Sequence, residues 1–357
     1  MDSDSKPGLI ERRAALPLDP VLMPRLPERA RFRFGLAALI GATGVLCFAP
    51  FGLFWLAPAV WLGLFALLRH ADSEREAALI GLSFGIGFFL TGVSWVYVSL
   101  SVFGGMAWWL AGIAAFLFCS VMAIFPMLAG WLFKHWQPAE PGRQALLFAA
   151  LIAAVDWLRS WIFTGFPWLL VGYTQAPPSP VSGFAPVIGA HGLSLLVALS
   201  GALLLRWKLG VASLAALAAA GFGLQQVQWT EPVGEPISVA LIQGNIPQEV
   251  KFQPEAFLRT LNLYQRLVAE NPAQLTLLPE TAVPAFFDQL PPDYAESFKS
   301  TALRHDGDIV FGTITGQGEH YWNSAVSLGI SPTQSYSKTH LVPFGEFIPP
   351  GFSWFMR

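Results

Sequence analysis

Three short stretches near the end of the chain hold carboxylates and a lysine, the residue types that transfer protons or stabilise charge. They are LIQGNIPQEVKF over 241–252, LLPETAVP over 277–284 and YSKTHLVPFGEFIP over 336–349. The side chains of interest are Glu280, Lys338 and Glu346. Glu280 follows a short apolar run, and the C-terminal ends of strands in open α/β sheets are where ligands bind. Each residue also has a plain structural reading. Glu280 suits a helix N-terminus, Lys338 a solvated strand end, and Glu346 a loop salt bridge. Farther upstream, Asp156 and Arg159 are spaced to share one helical face and could form an ion pair. The other reading of Arg159 is a phosphate-binding group at an outer-leaflet substrate site. Trp168 is correspondingly either an interfacial anchor or a substrate contact.

The elements that must carry these residues differ sharply between the two parts of the chain. Of 357 residues, 54% are hydrophobic and only 12% charged, against roughly 25% charged in soluble domains. With a mean hydropathy of +0.51, much of the surface must face something other than water. The 14 Trp and 29 Phe suit a bilayer, where aromatic residues gather at the interfaces. The net charge of −2 gives no basic field for nucleic acid. Cys47 and Cys119 both lie in long apolar runs, which argues for buried thiols rather than a disulfide framework or a zinc site.

A spanning helix needs about 20 mostly apolar residues. About seven stretches qualify or come close: 34–50, 53–68, 77–99, 106–133, 145–163, 187–205 and the short, Ala-rich 209–224. Arg25, Arg29, Arg31 and Arg33 precede the first. Arg69 and Arg75, then Lys134 and Arg143, then Arg206 and Lys208 occupy every second connection. The positive-inside rule puts that side in the cytoplasm. The reading is a cytoplasmic tail over 1–32, a membrane domain over 33–226 and an extracytoplasmic domain over 236–357.

After Pro236 the pattern alternates between strand and helix. Strands are expected over 237–243, 275–278, 308–314, 322–328 and 334–338, and helices over 254–270 and 291–305. Such alternation defines an α/β domain.

Taken together, the "PE" step at Glu280 and the run K-T-H-L-V-P-F-G-E from Lys338 to Glu346 resemble the nitrilase superfamily. With membrane spans in front, and with WLRSWIFTGFPW, QGNIPQ, PETAVP, NSAV and KTHLVPFGEFIP in order, the resemblance narrows to the apolipoprotein N-acyltransferase family. It covers the chain from about residue 34 to residue 357.

The resemblance implies a polytopic helical membrane domain joined to a nitrilase-like αββα sandwich of the carbon–nitrogen hydrolase type. It implies acyl transfer through a Glu–Lys–Cys triad. Glu280 would be the general base, Lys338 would face the oxyanion, and Glu346 would help to position the lysine or the intermediate. Asn323 would give polar support, Phe252 an apolar lining, and Arg159 and Trp168 would lie near the lipid entry. The implied partners are a phospholipid acyl donor, a diacylglyceryl apolipoprotein acceptor and the bilayer of a bacterial inner membrane, with the α/β domain in the periplasm. No cofactor is implied.

The nucleophilic cysteine of that family is expected some tens of residues beyond the lysine, and only 19 residues follow Lys338. The sequence therefore reads as C-terminally truncated, with an incomplete sandwich and no activity of its own. The competing readings are a membrane-tethered nitrilase-like amidase and a non-catalytic membrane protein.

Overall fold

The computed structural model describes residues 28–342 except 177, 249 and 319, together with 346–347. Residues 1–27 of the expected tail, Arg25 among them, lie outside the described residues, as do 348–357 at the far end.

Among the described residues, nine α-helices build the first part: α1 (Glu28–Gly44), α2 (Ala57–Arg69), α3 (Glu74–Gly92), α4 (Trp95–Val98), α5 (Trp108–Met122), α6 (Ile124–His135), α7 (Pro141–Arg159), α8 (Ala185–Leu203) and α9 (Trp207–Gln225). All seven stretches expected to span are helical. Several of them are not continuous, and the sixth breaks at Gly189 (φ 63°). The third bends by 53° between Gly92 and Trp95, and α4 then runs into a π-helical turn over Ser99–Phe103. The fourth is divided at Ala123. Among the described residues, four helical runs are long and apolar enough to cross a bilayer, or five if the bent pair is one span. The run Phe54–Arg69 is apolar but shorter. Helix α7 has 19 residues and carries Arg143, Asp156 and Arg159.

Helix starts follow from the sequence. The Ser73 hydroxyl accepts from the Glu76 N–H, and Glu76 reaches back to the Asp72 N–H, so S-x-x-E caps α3. The Glu140 carboxylate accepts from the Gly142 and Arg143 N–H groups, with Pro141 opening α7.

In lipid, helices associate through close packing rather than hydrophobic exclusion, and small residues permit it. Helix α3 shows this on two sides. A Cβ at Gly87, or at Gly41 of α1, would collide with a backbone carbonyl of the facing helix. Gly81 and Gly85 meet Pro126 and Ala123 in the same way. Around these contacts lies an aromatic core that includes Trp61, Phe65, Phe84, Phe88, Phe133 and Phe148.

The second part is a five-stranded mixed sheet in the order β1 (Val239–Leu241), β2 (Leu275–Leu277), β3 (Asp308–Gln317), β4 (His320–Gly329) and β5 (Gln334–Ser337). The first three strands are parallel, and the last two add antiparallel. Helices α10 (Pro254–Glu270) and α11 (Pro292–Arg304) supply the apolar stripes that pack with one sheet face. Leu261, Tyr264, Val268, Tyr294 and Phe298 meet Ile309, Phe311, Val326 and Leu328 there. Strand alternation turns Val239 and Leu241 away from that core, and both are exposed. That outer face is where the expected sandwich would place its second sheet.

Candidate active site

Three features of the sheet bring the charged residues together. The β4–β5 ladder pairs Ser324 with Ser337, so Asn323 and Lys338 are the next pair, joined by the Lys338 N–H donating to the Asn323 carbonyl at 2.8 Å. Glu280 lies three residues beyond the end of β2, where a parallel strand delivers its side chain to the sheet edge. The turn that follows β2 crosses β3 at Gly312. The Gly312 N–H donates to the Pro279 carbonyl, and the Val283 N–H donates to the Gly312 carbonyl. A Cβ on Gly312 would strike the Pro279–Thr281 backbone, so this residue must be glycine for the carboxylate to arrive.

The outcome is one ammonium between two carboxylates. Lys338 Nζ donates to Glu280 Oε1 at 3.1 Å and to Glu346 Oε1 at 2.9 Å. The Asn323 side-chain amide donates to both carboxylates. Glu346 Oε2 accepts from the Val342 N–H at 2.8 Å. Glu280 Oε2 takes no hydrogen bond among the described residues, and the Glu280 side chain is 61% exposed. The group borders an open cleft of about 270 Å³, lined by Pro279, Glu280, Gly312, Asn323, Tyr336 and Lys338 among others.

The electrostatics follow from these contacts. The hydrogen bond to Glu346 leads in holding the Lys338 ammonium above its ordinary value, with Glu280 adding to it against partial burial. Partial burial pushes the Glu346 carboxyl up, but hydrogen bonds from Lys338, the Val342 N–H and Asn323 outweigh it and leave the group below the ordinary carboxylate range. The cluster is thus a fixed cation beside a carboxylate, one of whose oxygens has no partner among the described residues. Among the described residues, no group of His, Cys, Asp and Glu is arranged to hold a metal.

The other expected site residues lie elsewhere. Phe252 is exposed and does not line the cleft. Arg159 and Trp168 belong to the helical part. Arg159 is 2% exposed. Its guanidinium donates to Asp156 Oδ1 at 3.1 Å and to the carbonyls of Phe166, Trp168 and Leu169, and it lies over the Phe89 ring. Asp156 Oδ2 in turn accepts from the Val171 N–H and the Ser194 hydroxyl. The ion pair forms, and the arginine is committed to carbonyls of the 166–169 segment. That segment presents Trp168, which stacks on Phe166 and touches Trp95. Cys47 and Cys119 are free, buried and distant in sequence from the cleft. Gly312 and the left-handed Thr281 (φ 48°) were missed by the sequence reading. A glycine inside a β-branched strand is the signal that could have pointed to the first.

Comparison with known proteins agrees with this division. Residues 238–354 match the carbon-nitrogen hydrolase family, which places the sheet and its charged cleft in that class. Residues 40–203 match the apolipoprotein N-acyltransferase N-terminal domain. Proteins named apolipoprotein N-acyltransferase from Nitrosomonas europaea, Ralstonia nicotianae and Chromobacterium violaceum are 46%, 41% and 41% identical, over 90%, 92% and 88% of this chain. The chain belongs to the apolipoprotein N-acyltransferase family, and it is a membrane protein. It spans 67%, 65% and 63% of the lengths of those three relatives.

Proposed function

We propose that this chain serves lipoprotein N-acylation, moving an acyl chain from a phospholipid to the α-amino group of the S-diacylglyceryl cysteine of an apolipoprotein. The observation that carries the reading is Lys338 held between Glu280 and Glu346, with one Glu280 oxygen unpartnered among the described residues. In the first step Glu280 takes the proton of a cysteine thiol, and the thiolate attacks the ester carbonyl of the phospholipid. Lys338 and the Asn323 amide stabilise the cluster, and Lys338 faces the oxyanion. The carbon–oxygen bond breaks, and the lysophospholipid leaves with the proton. In the second step the amine attacks the thioester, its proton passes to Glu280, and the thiolate is released.

The thiol in this scheme is neither Cys47 nor Cys119, both buried in the helical part. Activity is asked of an extended protein, this chain continued to the full length of the relatives it matches. Trp168 is the proposed lipid contact, with Arg159 holding its segment in shape and Phe252 an apolar border. The alternating Arg and Lys clusters support a topology of seven spans in a bacterial inner membrane, with the N-terminus in the cytoplasm and residues 236–357 in the periplasm.

The decisive assay supplies the extended protein with a phospholipid and a diacylated lipopeptide. Acyl transfer that disappears in E280Q and K338A supports the reading. Transfer retained in either variant removes that residue from the mechanism, and no transfer by the extended wild type ends the proposal. A reporter placed after Glu235 tests topology separately, and cytoplasmic labelling there would overturn it.

A further inference from the structure

Among the described residues, Lys251 is a cation beside the site with no part in the proposed transfer. Lys251 lies in the 243–253 segment that links β1 to α10. Its ammonium donates to the backbone carbonyl of Glu280 at 2.9 Å. The residue is half-buried. Burial lowers its tendency to hold a proton, while the Glu280 charge works in the opposite direction.

The carbonyl it holds belongs to a demanding piece of backbone. Glu280 leads directly into Thr281, whose φ of 48° lies in the left-handed region. A β-branched residue rarely adopts that region, so surrounding contacts must impose it. The sheet imposes it from one side, through the Gly312 and Val283 bonds. Lys251 acts from a different loop, through a charge-assisted hydrogen bond of the stronger kind.

We propose that Lys251 is a positioning residue for Glu280: it ties the 243–253 segment to the Glu280–Thr281 turn and so sets where the Glu280 carboxylate stands against Lys338 and Asn323. The proposal rests on the reading of Glu280 as the base. It does not need Lys251 to touch substrate. It predicts that the donor matters more than the length of the side chain, so an arginine serves where a methionine does not.

The test combines a structural readout with a kinetic one. Amide hydrogen exchange is followed in the purified chain in detergent for wild type, K251M and K251R. In K251M the Ala282 and Val283 amides should exchange on the order of tenfold faster, with α10 and α11 unchanged and K251R close to wild type. Unchanged exchange at those two amides in K251M would overturn the proposal. If K251M instead loosens α10 and α11 throughout, K251L, which also lacks a donor, replaces it in the same comparison and is judged by the same criterion. In the extended protein, kcat should fall on the order of tenfold or more in K251M, with KM for the phospholipid unchanged and K251R largely restoring the rate. A change confined to KM, or equal loss in K251R and K251M, counts against positioning. If the wild type transfers no acyl chain, the functional reading fails, while the exchange comparison still decides whether Lys251 holds the turn.

Discussion

Two of the carboxylate–cation clusters among the described residues use the same chemistry and stand in opposite states. In the helical part, Asp156 and Arg159 are sealed, and Asp156 spends both oxygens on Arg159, Ser194 and the Val171 N–H. In the sheet part, Glu280 and Lys338 border an open cleft, Glu346 holds the other side of Lys338, and one Glu280 oxygen has no partner among the described residues. Satisfaction is what separates a clamp from a reactive group. A buried pair with every strong acceptor used can only hold structure, because any proton transfer would strand a charge in a medium that cannot solvate it. An exposed carboxylate beside a fixed cation can gain and lose a proton at little cost to the fold.

That contrast is broken most directly by removing charge at each cluster and asking whether activity or stability responds. Glu280→Gln should lower acyl transfer by the extended protein by about 10²- to 10⁴-fold, the usual contribution of general acid–base catalysis. Its thermal unfolding should stay near that of wild type, since an exposed group is removed. Asp156→Ala should do the reverse. It leaves the Arg159 guanidinium buried without its counter-ion and should destabilise the helical part by about 3–5 kcal/mol. Unfolding monitored in detergent measures this, and a shift under about 1 kcal/mol would show that the cluster is not a clamp.

The two parts were also unequally legible in sequence. The amphipathic helices of the sheet part emerge almost to the residue, because α10 and α11 bury one stripe and expose the other. The seven apolar stretches are helical, but among the described residues only four, or five with the bent pair, are long and apolar enough to span, and their breaks were not foreseen. The bend after Gly92 falls at Gly92-Val93-Ser94, a glycine and a serine within an otherwise apolar run that reads as a straight span. At the site, the family resemblance pointed to Glu280, Asn323, Lys338 and Glu346, and the four side chains meet. It could not give Lys251 or Thr281, whose roles come from a carbonyl and a backbone angle rather than from a side-chain type. For Arg159 the sequence offered an ion pair or a phosphate ligand, and only the positions of the 166–169 carbonyls show what occupies the guanidinium.

Glycines sharpen the comparison at the next level of effect. Gly87→Leu forces a side chain into the α1 carbonyl that now touches α3, and overpacking of that kind costs about 1–3 kcal/mol. The loss should appear in unfolding of the helical part. Gly312→Val meets the Pro279–Thr281 backbone instead. It should displace Glu280 from Lys338 and lower acyl transfer more than it lowers stability. Equal effects of the two substitutions on both properties would mean that the parts do not divide the labour as their clusters suggest.

The smallest effect is on pH dependence, and its sign follows from the cluster. Lys338 is raised above its ordinary 10.5, chiefly by its bond to Glu346. Its contribution to stability is therefore full below pH 10.5 and fades as pH rises through the higher folded value. Glu346 lies below its ordinary 4.5 because its hydrogen bonds outweigh partial burial. Its contribution is full above pH 4.5 and fades as pH falls through the lower folded value. Between those limits the pair stays charged and adds no slope of its own. Both groups keep contact with water, so the effect is modest. It is best read as a difference: denaturation of wild type and Lys338→Met, measured from pH 7 down to about pH 3, should converge at the acid end as Glu346 is protonated in both. A stability gap between them that stays constant through the acid range would mean that Lys338 does not hold Glu346 as a carboxylate. The open cluster would then be a set of neighbours rather than a coupled unit.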